Sequence, residues 1–382
     1  MFGTNGVRGV VNKDMNVQLA MDLGKAIGTF MGGRVAIGND SRTSATMIKS
    51  AVSSGVMCAG AEVLDLGLVP TPVVQHYVKN NGLAGGIMIT ASHNPPEFNG
   101  IKCVDADGTE MPRSKEEEIE RLYFTKSFTS KDWRGVGTLR RATGAIHDYL
   151  ASVKRLVDAD AIRGAGLTVV LDCANGAGSV STPQLLDDLN VRAISLNCNP
   201  QGTFPGHPSE PVEAHLKDLI AMVKDTGADL GVAHDGDADR TIFVDDKGRY
   251  MYGDKSLAIV AEAMVRKNGG GTVVTPVSSS MAVEDVVRRA GGEIVYTRVG
   301  APVVARKMIE VGAVFGGEEN GGLIFPRHQY CRDGAMATGL MSEISSFETG
   351  ALMPNSAAEM TMYTKGLYLL DTRRSPRPDH GH

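Results

Sequence analysis

"RVAIGNDSRTSATMIKSAVSSGVMCAGAEVLDLGLVPTPVVQHYVKNNGLAGGIMITAS" runs from Arg34 to Ser92. RVAIG (34–38) reads as a buried strand, and NDSRTS after it as a polar loop. ATMIKSAVSSGVMCAG makes a helix that Gly60 ends. AEVLDLG is the next strand, TPVVQHYVKNN the next helix, and GGIMITAS a strand again. Upstream, residues 16–31 space their apolar groups helically behind Asn16, a plausible N-cap. Strands alternating with helices imply a mostly parallel sheet covered on both faces.

The alternation restarts twice. LTVVLDCANGAGS (167–179) is a strand and a Gly-rich loop before the helix TPQLLDDLN, and ADLGVAHDGDADR closes that unit. GTVVTPVSSSMAVEDVVRRAG (271–291) is strand, serine-rich loop and helix, with GAVFGGEENGGLIF (312–325) after it. The chain of 382 residues is too long for one ordinary core. The expected fold is therefore α/β: three consecutive units with mixed, mostly parallel sheets forming a cleft. Their expected bounds are 1–145, 146–247 and 248–357, followed by a tail, 358–382. Each unit presents a polar loop at the C-terminal end of a strand, where open α/β sheets bind ligands.

Hydrophobic content of 42% and charged content of 22% are those of a globular protein. A net charge of −5 gives no electrostatic footprint for nucleic acid or an anionic membrane. The five dispersed cysteines, without a C-x-x-C, point to reduced thiols and away from a zinc site. The N-terminus MFGTNGVRG has neither a basic region nor an apolar one, and no run of 18 apolar residues occurs, so a cytoplasmic protein is expected.

Three loops carry chemistry. In TASHNPPEFNGIK (90–102) two prolines forbid both helix and ladder just where Ser92 leaves an apolar strand. Ser92 is either a displayed nucleophile or part of a turn, and His93 beside it on an extended segment would point away from it. In AHDGDADRTIFVDD, Asp235, Asp237 and Asp239 alternate and Arg240 follows. Three carboxylates in one loop repel unless a cation neutralises them, and hard oxygens select Mg²⁺ or Ca²⁺. An EF-hand fails because its sixth position is Arg240 and the flanks read as strands. Metal and serine together suit phosphoryl transfer, with Arg8, Lys102 and Arg240 supplying positive charge. The sequence has no Walker-type loop, so the phosphate would reside on the enzyme, at Ser92. In GGEENGGLIF (316–325), Glu318 and Asn320 could bind paired sugar hydroxyls, or the segment is a surface turn.

FGTNGVRG, TASHNPPEFNGIK, DGDADR and GGEENGG, in that order, resemble the α-D-phosphohexomutase superfamily in its archaeal phosphomannomutase/phosphoglucomutase and phosphoglucosamine mutase branch. The likeness covers about residues 1–360. It implies a phosphoserine at Ser92 and Mg²⁺ held by Asp235, Asp237, Asp239 and a phosphate oxygen of Ser92. It implies acid/base and electrostatic roles for Lys102 and His93, active-site arginines at Arg8 and Arg240, and sugar contacts from Glu318 and Asn320. The implied reaction moves phosphate between C1 and C6 of glucosamine, mannose or glucose phosphate, with hexose 1,6-bisphosphate as intermediate and activator. The implied partners are small hexose phosphates, to a monomer or homodimer. Gly322 stands where many relatives carry histidine. The family's fourth domain, with its R-x-S-G-T-E-P loop, has no counterpart after AAEMTMYTKG (357–366), so 358–382 is expected to be a truncated, disordered tail and turnover to be impaired. A phosphohydrolase and a non-catalytic sugar-phosphate-binding remnant are the rival readings.

Overall fold

The computed structural model of the chain describes residues 1–3 and 6–349. Three mixed sheets follow one another. The first contains β1 (Val7–Val10), β2 (Arg34–Asn39), β3 (Glu62–Leu68), β4 (Gly85–Ile89), β5 (Phe98–Val104) and β6 (Leu139–Arg141), in the order β1-β5-β4-β2-β3-β6. The second has β7 (Thr168–Asp172), β8 (Arg192–Leu196), β9 (Leu230–His234), β10 (Thr241–Asp245) and β11 (Tyr250–Met251), ordered β11-β10-β9-β7-β8. The third has β12 (Gly271–Pro276), β13 (Gly292–Thr297), β14 (Phe315–Glu318), β15 (Gly322–Phe325) and β16 (Gln329–Arg332), ordered β13-β12-β14-β15-β16.

One arrangement repeats in all three. The runs β3-β2-β4-β5, β8-β7-β9-β10 and β13-β12-β14-β15 each join two parallel pairings to one antiparallel pairing. The antiparallel step is always a hairpin, and its connection is one of the three polar loops. The sheets are thus mixed, as expected, with the parallel pairings only narrowly in the majority. Among the described residues seven strand pairings are parallel and six antiparallel. Apolar strand cores such as GGIMI and LGVAH are buried along their whole length whichever way the neighbour runs, so the pattern does not report direction.

The helices start and stop where local chemistry directs. Asn16 Oδ1 accepts from Leu19 N (2.9 Å) at the head of the helix Val17–Met31, and Pro72 sits in the first turn of the helix Thr71–Asn80. The largest apolar cluster crosses between units. It joins Val73 and Val74, Tyr149, Leu171, Leu257 and Phe315 to the helix Gly334–Thr349 through Met336, Leu340 and Ile344. Burying such side chains contributes about 1.5–3 kcal/mol each, so the units hold one another in place. No described helix is long and apolar enough to cross a membrane. The expected tail, 358–382, lies outside the described residues.

Candidate active site

Ser92 lies three residues beyond β4, not within the strand, because its backbone turns into the left-handed region (φ 52°). A non-glycine residue keeps that conformation only when its surroundings impose it. Here Ser92 N donates to Thr90 Oγ1 (2.8 Å), and the Ser92 carbonyl accepts from Arg42 Nη2 (2.8 Å). Arg42 also donates to the carbonyls of Asn94 (2.6 Å), Pro95 (2.6 Å) and Phe98 (3.0 Å), so one guanidinium grips the whole loop. Asp40 anchors that guanidinium at Nε (3.1 Å) and accepts from Thr90 Oγ1 (2.6 Å). Burial pushes the Asp40 carboxyl up to about 6 against the pull of Arg42. From the second unit, the Phe204 ring covers the Arg42 guanidinium at 5.0 Å.

The Ser92 side chain is fully buried, and its Oγ donates to Asp235 Oδ2 (2.8 Å). The close approach depends on Gly236, where a Cβ would come within 2.6 Å of the Ser92 carbonyl oxygen. The left-handed turn also brings His93 Nδ1 to 3.5 Å from Ser92 Oγ, which corrects the expectation that the two point apart. Burial, then Arg240, press the His93 imidazole down to about 4.

Asp235, Asp237 and Asp239 are buried, and one carboxylate oxygen from each lies within 4.8 Å of the others. Burial and the two neighbouring aspartates raise the Asp235 carboxyl to about 8. Asp237 Oδ2 accepts from Lys102 Nζ (2.7 Å) and Thr71 Oγ1 (2.6 Å). Burial works against the Asp237 anion, yet Lys102 and Thr71 outweigh it and hold the carboxyl well below the usual range. Asp239 Oδ2 accepts from Lys102 Nζ (3.3 Å) and Arg332 Nη2 (2.6 Å). The Oδ1 atoms of Asp237 and Asp239 are buried with no hydrogen-bond partner. Two orphaned hard oxygens beside the Asp235 carboxylate are what an oxygen-ligated divalent cation would complete, so these residues fit Mg²⁺.

Above this floor opens a cavity of about 480 Å³ lined from all three units, by Arg8, His93, Arg240, Glu318, Asn320 and Arg332 among others. Arg8 is held over it by Asn94 Oδ1 (2.9 Å) and the Ala91 carbonyl (3.2 Å). Arg240 Nε is buried without a partner. Glu318, at the end of β14, accepts from Gly300 N (3.0 Å). Asn320 accepts from Gly322 N (3.1 Å) and thereby shapes its own turn. Every residue singled out from the sequence thus lies in or directly beneath one cavity. Three others were missed: Arg42 in the polar run NDSRTS, Thr71 at a helix start, and Arg332 near the end of the third sheet. Arg332 is buried and bridges Asp239 to Glu318 (3.6 Å), tying the acidic loop to the third loop. Gly322 makes room for it, since a Cβ there would collide with Arg332 Cδ.

Three domain models of phosphoglucomutase/phosphomannomutase match the chain: alpha/beta/alpha domain I over residues 1–130, domain II over 147–248 and domain III over 252–363. The chain is 43% identical over 350 residues to a phosphoglucomutase/phosphomannomutase of Thermococcus kodakarensis, covering 90% of this chain and 76% of that one. It is 40% identical to a phosphoglucosamine/phosphogalactosamine mutase of Sulfurisphaera tokodaii, covering 99% of this chain and 83% of the relative. A crystal structure of a putative phosphomannomutase from Thermus thermophilus superimposes with a TM-score of 0.86 at 27% identity, over 96% of this chain and 83% of the other.

Proposed function

The chain belongs to the phosphoglucomutase/phosphomannomutase family, and on that premise we propose that it moves phosphate between C1 and C6 of a hexose phosphate through a phosphoserine at Ser92. Glucosamine, mannose and glucose phosphates are the substrate class. The observation that carries the reading is the Ser92 Oγ hydrogen bond to Asp235, which sets the hydroxyl on the edge of a three-carboxylate cluster below an arginine-lined cavity.

In the first half-reaction the free hydroxyl of the sugar attacks the phosphorus of phosphoserine. The phosphorus–Oγ bond breaks, and the sugar leaves its hydroxyl proton behind. His93, 3.5 Å from Ser92 Oγ, stands ready for that proton, and Lys102, on Asp237 and Asp239 of the same acidic loop, supplies positive charge nearby. The hexose 1,6-bisphosphate then turns over, and Ser92 Oγ attacks its other phosphorus; that phosphorus–sugar oxygen bond breaks, and the sugar oxygen leaves as a hydroxyl with the proton given up in the first half. Arg8 and Arg240 on the cavity wall balance the phosphate charge, while Glu318 and Asn320 meet the sugar hydroxyls. Asp235, Asp237 and Asp239, with a phosphate oxygen of Ser92, would hold Mg²⁺, which supplies Lewis-acid stabilisation of the transferring phosphoryl group when bound. A hexose 1,6-bisphosphate would prime unphosphorylated enzyme.

Protein incubated with a hexose 1,6-bisphosphate should gain the mass of one phosphate, and Ser92→Ala should gain none. Phosphate should then appear on the other carbon of a hexose monophosphate, followed by NMR. Retention of the added mass by Ser92→Ala would overturn the assignment of the carrier. Release of inorganic phosphate in place of the isomer would favour a hydrolase.

A further inference from the structure

Two of the five cysteines meet outside the cavity. Cys173 follows Asp172, the last residue of β7, and Cys198 lies two residues beyond Leu196, the last of β8. These strands are parallel, with Asp172 opposite Leu196, and Cys173 N continues the pairing by donating to the Leu196 carbonyl (3.3 Å). The two Sγ atoms are 3.3 Å apart. Continuing that register sets Asn197 opposite Cys173, and Cys198 comes one residue later, after the left-handed backbone of Asn197 (φ 49°). Cys173 is fully buried, whereas Cys198 is partly exposed.

We propose that Cys173 and Cys198 are a modification site: a dithiol that a small organic disulfide, such as glutathione disulfide, converts to an intramolecular disulfide. Cys198, the less buried residue of the two, reacts first. Having lost its proton to water, it attacks one sulfur of R–S–S–R, the S–S bond breaks, and RS⁻ leaves as a mixed disulfide forms. Cys173, likewise deprotonated, then attacks Cys198 Sγ and displaces the second RS⁻. Two protein thiols are oxidised, R–S–S–R is reduced, and two RSH are released. The division of labour agrees with the surroundings. Contact with Cys173 holds the Cys198 thiol below its ordinary range, while burial raises the Cys173 thiol far above it. The bond would close a loop between positions 25 apart, at the root of the segment that carries Phe204 over Arg42.

The test uses the full chain in native buffer with glutathione disulfide. The expected product has lost the mass of two hydrogens and carries no glutathione. Titration after denaturation should count three thiols in place of five, and digestion should give a peptide linked through Cys173 and Cys198. Dithiothreitol should restore all five. Cys173→Ser should stop at one stable glutathione on Cys198, and Cys198→Ser should leave Cys173 unreacted. A parent protein that keeps a glutathione on Cys198, links another pair or stays unchanged would overturn the proposal. It does not depend on phosphoryl transfer, so either conclusion can fail without the other.

Discussion

Ser92 Oγ donates a 2.8 Å hydrogen bond to Asp235 Oδ2 across 143 positions of sequence, from the loop after β4 to the loop after β9. These loops are hairpin connections at the same place in two repeats of one strand arrangement. The bond is therefore made by the docking of units, and the chemistry at Ser92 depends on how firmly they are docked.

Asp237→Asn should weaken Mg²⁺ binding about tenfold or more, because affinity for hard cations follows the number of charged oxygen ligands. Calorimetry on parent and variant measures this directly. Equal affinities would mean that Asp237 is not a ligand of the cation and serves only to pair with Lys102 and Thr71.

Lys102→Met should lower stability, since Lys102 neutralises both Asp237 and Asp239 in a fully buried setting. Removing one member of a buried ion pair costs about 3–5 kcal/mol. Added Mg²⁺ should recover more melting temperature in the variant than it adds to the parent, because it replaces a missing cation. An equal Mg²⁺-induced shift in both would count against a metal at these carboxylates.

Arg42→Lys should lower kcat about 100-fold while KM for hexose phosphate stays within about threefold. A lysine offers three donors from one point and cannot span four carbonyls and Asp40. The Mg²⁺ affinity should remain that of the parent. A kcat equal to the parent's would show that the Ser92 loop holds its shape without the guanidinium.

His76 gives the pH dependence. Burial, then the neighbouring His328, press its imidazole from an ordinary 6.5 down to about 4, against Asp333; Lys79 and Asp148 also act on it, and Tyr149 packs on its ring. The folded protein holds this histidine neutral, so the unfolded chain binds more protons between those values. Stability from His76 is therefore complete above pH 6.5 and lost as the pH falls towards 4. The loss is roughly 2–4 kcal/mol at ~1.4 kcal/mol per unit. Urea unfolding of parent and His76→Phe across this range should show the parent's relative stability declining with acid. A constant difference would contradict the shift.

The sequence made the three units and their loops legible because each loop concentrates unusual chemistry in a few residues: two prolines after an apolar strand, three alternating aspartates, paired glycines around Glu318 and Asn320. Arg332 and Thr71 gave no such signal. Their pairings to Asp239 and Asp237 span 93 and 166 positions, and one arginine in QYCRDG resembles any other. Arg42 was hidden differently, since a short polar loop is an ordinary place for arginine and only the fold bends four carbonyls around it. The extent of antiparallel pairing was hidden for a related reason. Alternation with helices announces parallel crossovers, whereas a hairpin hidden inside a functional loop does not.

The charges at the centre of the molecule also have an order in time. Lys102 is synthesised before the aspartates it pairs with, but Arg332 follows Asp239 by 93 residues. At about 5–20 residues per second, the newly made carboxylates wait roughly 5–20 s for their second cation. During that interval Asp239 lacks one of the two cations that the finished molecule sets against it. On the ribosome the second unit should therefore settle against the first unit loosely and close only when the third arrives.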